Sequence, residues 1–140
     1  MLAVALHQEA LNIADGIGAP YLTCESSMGL AAAHHAGDRL TEATALAQEA
    51  LTLARHNRFR VLQGQANLLL ARCMASQELG KQARDYALRA LDDHLMTGHR
   101  LGAAHAHVVL GELLGDADPV AGKEHAEAAQ ALHTEILGDR

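Results

Sequence analysis

A repeat of forty residues constrains this chain more than any other feature. Gln8–Leu11 reads Gln-Glu-Ala-Leu, and the same four residues recur as Gln48–Leu51. A column of leucines has the same spacing: Leu30, Leu70 and Leu110. A period of this length is the signature of helical-repeat proteins. In such proteins each unit buries its apolar face only against its neighbours, so we expect an extended surface suited to binding.

The composition favours helices and argues against contact with nucleic acid. The 140 residues include 29 alanines and 23 leucines. Alanine lets helices approach closely and leucine fills the space between them, whereas β-branched residues are too few for a sheet. The net charge is −6, and binding to nucleic acid rests on clustered Lys and Arg. We therefore expect an all-α domain without direct nucleic acid contact.

Glycines and prolines divide the chain into seven amphipathic segments. Each segment carries apolar residues at i, i+3, i+4 and i+7, which is typical of a helix with one buried face. Both prolines, Pro20 and Pro119, stand where a segment begins, and this suits the first helical turn. The predicted helices span about 3–15, 20–36, 40–56, 59–78, 81–97, 100–114 and 118–137. The intervening loops are short, so consecutive helices should pack antiparallel.

Small residues recur inside each unit in a pattern that resembles the tetratricopeptide repeat, lengthened from about 34 residues to about 40. The matching positions are Leu30-Ala31 with Ala43 and Ala50, Leu70-Ala71 with Ala83 and Ala90, and Leu110-Gly111 with Ala121 and Ala128. The family's large aromatic residues and its repeat-ending proline are missing. The resemblance covers essentially the whole of residues 1–140. It implies one domain, a right-handed superhelix of antiparallel helix pairs with about seven helices in three and a half repeats.

Three phrases resemble the repeat regions of large bacterial transcriptional regulators, of the antibiotic-regulatory and maltose-regulator types. They are Gly37–Asp38, Glu42–Ala43 and the closing Leu137–Asp139. This resemblance implies a non-catalytic module for protein or peptide interaction, used as the sensing or scaffolding segment of a regulator. The chain also begins directly in an amphipathic segment, without a polar capping helix. We therefore expect a piece of a longer protein, or a repeat edge that is covered by a partner. The alternative function is a free-standing adaptor that forms homodimers through its exposed repeat ends.

In the tetratricopeptide family the first helix of each pair lines a concave groove, so the resemblance also implies a binding site. The corresponding positions are Glu25, Met28, Ala32 and His35 in the first unit, Gln65, Leu68, Arg72 and Ser76 in the second, and His105, Val108, Glu112 and Asp116 in the third. Apolar, acidic, basic and imidazole groups together suit a peptide or a partner helix. They do not match the Lys/Asn clamp with which some members bind a peptide's terminal carboxylate.

Ten histidines raise the alternatives of a metal site or a pH switch. The sequence contains no His-Glu-x-x-His motif and no pair of histidines four residues apart. His105 and His107 lie on different faces of one predicted helix, while His125 and His133 are too far apart to share a metal. We expect polar surface histidines, no cofactor and no stoichiometric zinc binding.

Catalysis has no recognisable constellation in this sequence. Gly16–Gly18 lacks the Lys and Ser of a phosphate-binding loop, and Ser26–Ser27 have no evident base. Cys24 and Cys73 are predicted to be free thiols inside apolar helices, as in a reducing compartment. No apolar run approaches the length of a membrane span, and no secretory signal is present. We expect a non-enzymatic protein of the cytoplasm.

Overall fold

The computed structural model describes residues 2–138, and these form seven α-helices. The helices are α1 (Leu2–Ile17), α2 (Pro20–Ala36), α3 (Leu40–His56), α4 (Arg60–Ser76), α5 (Gly80–Thr97), α6 (Arg100–Leu114) and α7 (Pro119–Gly138). No strand occurs among the described residues. The predicted all-α class is confirmed, and each helix end lies within two residues of its predicted position. Asp139, which closes one of the regulator-like phrases, lies outside the described residues.

One residue with a left-handed backbone ends each of the first five helices. These residues are Gly18, Asp38, Arg58, Glu78 and Gly98, with φ between 58° and 69°. They follow one another every twenty residues, so each forty-residue unit contains two turns of the same kind. The backbone amide of the residue after each turn bonds back into the preceding helix, as from Arg39 to the carbonyl of His34. The turn therefore closes each helix within its own unit.

The helices form two layers. Each helix packs against its neighbours in the chain, and in addition α2 contacts α4 and α4 contacts α6. Among the described residues, no such contact joins α1 to α3, α3 to α5, or α5 to α7. The even-numbered helices therefore make a continuous inner layer, and the odd-numbered helices stand apart from one another on the other side. This arrangement is compatible with a helical-repeat solenoid.

The repeated small and leucine residues form the core. Leu30, Leu70 and Leu110 are fully buried, as are the alanines predicted to lie at helix crossings: Ala43, Ala50, Ala83 and Ala90. The third unit differs from the prediction, because Ala121 and Ala128 are only partly buried and Gly122 and Ala129 take their place. The reason is a close glycine contact, since a Cβ on Gly122 would lie 3.1 Å from the Cα of Gly115. Helix α7 is therefore rotated by one residue from the predicted frame.

The core between α4, α5 and α6 contains a buried histidine. His94 is 1% exposed, and its ring lies between Gly64 and Gly102, where an added Cβ on either glycine would overlap the ring. Forty residues earlier the corresponding core positions hold Ala54, Cys24 and Leu62, which are all buried together. One unit thus combines a small residue with two larger ones, and the next combines a large ring with two glycines. In both units the largest side chain of the three is accommodated by smaller residues at the other positions, as tight packing requires.

A polar network beside this histidine joins α4 to α5. The buried carboxylate of Asp93 accepts hydrogen bonds from Gln63 at 3.1 Å and from Asn67 at 3.0 Å. The guanidinium of Arg60 lies 3.6 Å from the same carboxylate. These contacts compensate the cost of burying a charge.

Within residues 2–138, no helix combines the length and the apolar character needed to cross a membrane.

Candidate functional site

The inner layer brings the predicted groove positions of neighbouring units side by side. The Nε2 atom of His35 on α2 lies 2.8 Å from the hydroxyl of Ser76 on α4. On the next pair of helices, partial burial lowers the pKa of His105, and the positive charge of Arg72 on α4 lowers it further. These two interactions join four of the predicted positions, on α2, α4 and α6, into a row. We call this row the inner face.

Most of the predicted groove residues offer their side chains to solvent on this face. Those exposed are Glu25, Ala32, Gln65, Arg72, Ser76, His105, Val108 and Glu112, and Asp116 is exposed in the turn after α6. Met28 and His35 are half-buried, and Met28 packs against the core. The inner face thus presents an apolar base with charged groups of both signs around it.

Leu68 differs from the prediction. Its side chain is 7% exposed and packs in the core with Ala71, Ala106 and Val109. The cause is the central place of α4, which contacts α2, α3, α5 and α6 and keeps only a narrow strip of free surface. Leu68 therefore lies in the core beneath the inner face, and almost none of its surface is available to a ligand.

A cleft of about 310 Å³ extends the inner face to α7. Its lining residues are Val108, Gly111, Glu112, Ala126, Ala129, Gln130 and His133. Gly111 has no side chain, so the backbone of α7 comes close and the cleft keeps a smooth apolar base. The rings of His105 and His133 lie 6.4 Å apart at the edge of the cleft. Such a cleft can hold an apolar side chain whose end carries a hydrogen-bond donor or a positive charge.

Histidine pairs across helices are the feature that sequence reasoning missed. The Nδ1 atoms of His107 and His125 lie 2.9 Å apart between α6 and α7, and those of His94 and His99 lie 3.1 Å apart. Burial lowers the pKa of His107, and His125 lowers it further. The sequence contains a signal for the pair of His107 and His125. The two residues are equally far from Asp116, which lies in the turn between two antiparallel helices, so they lie at the same level of the helix pair.

The potential metal ligands of the described residues are scattered, and the two cysteine thiols are buried. Among residues 2–138, no three His, Cys, Asp or Glu side chains are arranged to hold a metal ion. Both cysteines are buried free thiols, as predicted. Burial raises the pKa of Cys24 to about 11, with a smaller contribution from Glu25, and burial also raises the pKa of Cys73. Both thiols are therefore protonated at neutral pH and are weak nucleophiles.

No model of a known protein family matches this chain, and no curated protein sequence is similar to it.

Proposed function

We propose that the chain is a non-catalytic module that binds a peptide or a partner helix along the inner face. The observation that carries this proposal is the row of exposed groups from neighbouring helices, joined by the contact of His35 with Ser76 and the proximity of Arg72 to His105. A row that crosses several helices matches an elongated ligand better than a compact one.

The side chains of the inner face specify the chemistry of that ligand. Val108 and the alanines of the cleft provide an apolar base, and Glu112 lies beside it. Arg72 provides a positive charge on the adjacent helix. A ligand helix with an apolar stripe would therefore bind best when an acidic residue faces Arg72 and a basic residue faces Glu112.

We further propose that this module is the sensing or scaffolding segment of a bacterial transcriptional regulator and that it acts in the cytoplasm. Its mechanism would be a shift of population, in which the bound partner favours one arrangement of an attached effector domain. The module itself would not contact nucleic acid, in keeping with its net charge of −6.

Selection of peptides from a phage-displayed random library tests the binding proposal. Peptides selected on the native protein should bind the Arg72→Glu and Glu112→Lys variants at least about tenfold more weakly, because each change reverses a charge at the inner face. The matched control is Arg84→Glu, the same change at an exposed position of α5 in the outer layer. Equal binding to all variants, or a selection that yields no peptide, would contradict the proposal.

The link to a regulator has its own measurement. An immunoblot of the source organism with antibodies against this segment should show a polypeptide much larger than 14.8 kDa. A band at that mass would contradict the hypothesis that the chain is part of a regulator and would favour the hypothesis of an autonomous adaptor.

The alternative function is an adaptor that forms homodimers, and the outer surface of α1 favours it. Four large apolar side chains on this helix are exposed: Leu2, Leu6, Ile13 and Ile17. In contrast to Ala50 and Ala90, the corresponding Ala10 is exposed as well. Contiguous apolar surface of this kind is typical of an interface.

Sedimentation equilibrium decides whether the protein self-associates. If the adaptor hypothesis holds, the native protein is a dimer, and Leu6→Glu and Ile13→Glu make it monomeric. Leu95→Glu serves as the control, because Leu95 is a similarly exposed leucine on α5. A native protein that stays monomeric at high concentration would rule out this alternative.

A further inference from the structure

A second concave site, a cavity among the described residues, lies away from the inner face. It has a volume of about 580 Å³ and opens between α1 and α3, with α2 as its base. Its lining residues are Leu11, Asp15, Thr23, Ser27, Gln48, Glu49, Thr52, Leu53 and His56. The cavity exists because α1 and α3 contact α2 but not each other. Its volume is in the range of sites that bind small organic molecules.

In the second unit, larger polar side chains occupy the region that corresponds to this cavity. Forty residues after Thr23 and Ser27 stand Gln63 and Asn67, whose longer amides reach the carboxylate of Asp93. Asp93 in turn corresponds to Leu53. In the second unit, long polar side chains thus occupy the space between the outer helices. In the first unit two short hydroxyl residues and a leucine leave it open.

One hydroxyl group at the wall of the cavity makes no hydrogen bond with the described residues. Ser27 as a whole residue is 4% exposed and lines the cavity. Its Oγ atom makes no hydrogen bond with residues 2–138 and stays accessible from the cavity. This hydroxyl is therefore available to form a hydrogen bond with a ligand that enters the cavity.

The charge of the cavity indicates which ligand. Two carboxylates line it, Asp15 from α1 and Glu49 from α3. Asp15 accepts a hydrogen bond from Thr23 at 3.3 Å, and Glu49 forms no ion pair with the described residues. Leu11 and Leu53 add apolar surface between them. In the second unit the guanidinium of Arg60 lies close to the carboxylate of Asp93 in the corresponding region.

We propose that this cavity binds a small amphipathic organic cation, with an amine, amidine or guanidine group. The cationic group lies between Asp15 and Glu49 and donates a hydrogen bond to Ser27, while the apolar part rests on Leu11 and Leu53. The ligand supplies the donors that Gln63, Asn67 and Arg60 supply in the next unit. The site is separate from the inner face, so the test of cation binding is independent of the proposed partner binding.

Titration of the ¹⁵N-labelled protein with benzamidine tests the proposal by NMR. Benzamidine should cause saturable shifts at millimolar concentration, confined to amides around the cavity, such as those of Ser27 and Thr52. Its neutral isostere benzamide should bind at least about fivefold more weakly, because an exposed ion pair contributes up to about 1 kcal/mol. Equal binding of the two compounds, shifts centred elsewhere, or no saturable shift with benzamidine would overturn it.

Matched variants separate the site from general charge effects. Glu49→Gln should weaken benzamidine binding about fivefold, whereas Glu42→Gln, the same change at an exposed position in the first turn of α3, should leave it unchanged. The double change Thr23→Gln and Ser27→Asn copies the second unit and should abolish binding by filling the cavity. If the double variant does not fold, as judged by its thermal unfolding, the comparison of Glu49→Gln with Glu42→Gln decides. Equal effects of these two changes would refute the site.

Discussion

Buried His94 makes the stability of this protein sensitive to acid. The pKa of His94 is lowered from 6.5 to about 4, mainly by burial and to a smaller extent by the neighbouring His99 and His105. The unfolded chain takes up a proton at this residue near pH 6.5, but the folded protein does so only near pH 4. Acid therefore favours the unfolded state, and the free energy of unfolding falls as the pH is lowered from about 6.5 to about 4.

The size of this effect follows from the shift of the pKa. One pKa unit corresponds to about 1.4 kcal/mol, so His94 alone accounts for a loss of about 3 kcal/mol across that range. Protonation of His94 is unfavourable in the folded protein because its Nε2 atom is buried without a hydrogen-bond partner. His105 and His107 have pKa values lowered in the same direction and add to the loss.

Urea denaturation at a series of pH values, followed by circular dichroism, measures this loss. The matched variant carries His94→Ala, Gly64→Cys and Gly102→Leu. These changes reproduce the residues of the preceding unit, where Ala54, Cys24 and Leu62 pack together. It should remain folded and lose about 3 kcal/mol less than the native protein between pH 6.5 and 4. His94→Ala alone should also reduce the acid loss, but it should cost about 2–4 kcal/mol at neutral pH by opening a cavity. An unchanged acid loss in both variants would show that His94 is not the responsible group.

Three further predictions concern packing, backbone and thiols. Ala50→Leu should lower the free energy of unfolding by about 1–3 kcal/mol through overpacking, and an unchanged melting temperature would show that the repeat frame is misplaced. Gly98→Ala should cost about 1 kcal/mol because its φ is 69°, whereas Gly80→Ala should be neutral or stabilising in thermal unfolding, since a Cβ there meets no atom within 4 Å. Cys24 should react with iodoacetamide at neutral pH only when the protein unfolds, because its pKa is about 11, and fast labelling of the folded protein would contradict this.

The helices and the core could be predicted from the sequence because their signals are local or strictly periodic. Pro20 and Pro119 mark helix starts, and the repeat places Leu30, Leu70 and Leu110 at equivalent buried positions. The frame of α7 could not be predicted, because it depends on the contact between glycines of two helices. A period read along one helix carries no information about how a neighbouring helix is rotated.

The candidate site was predicted less completely than the fold. The resemblance to the tetratricopeptide repeat placed His35, Arg72 and His105 among the groove positions. In the structure His35 contacts Ser76, and Arg72 lowers the pKa of His105. Burial of Leu68 did not follow, because it depends on how many helices surround α4. The cavity at Ser27 was also missed, since it arises from side chains that are short where those of the next unit are long.

The buried network of Asp93 also bears on how a chain of similar helices avoids pairing errors during folding. Any outer helix could pack on any inner helix if only alanine and leucine contacts decided the pairing. Helix α5 carries a carboxylate that must be hydrogen-bonded when buried, and Gln63 and Asn67 of α4 provide its donors. Against α2 the same carboxylate would face the short hydroxyls of Thr23 and Ser27 and would lose both amide donors. One charged residue thus assigns α5 to its own unit, at a place where the repeat itself provides no distinction.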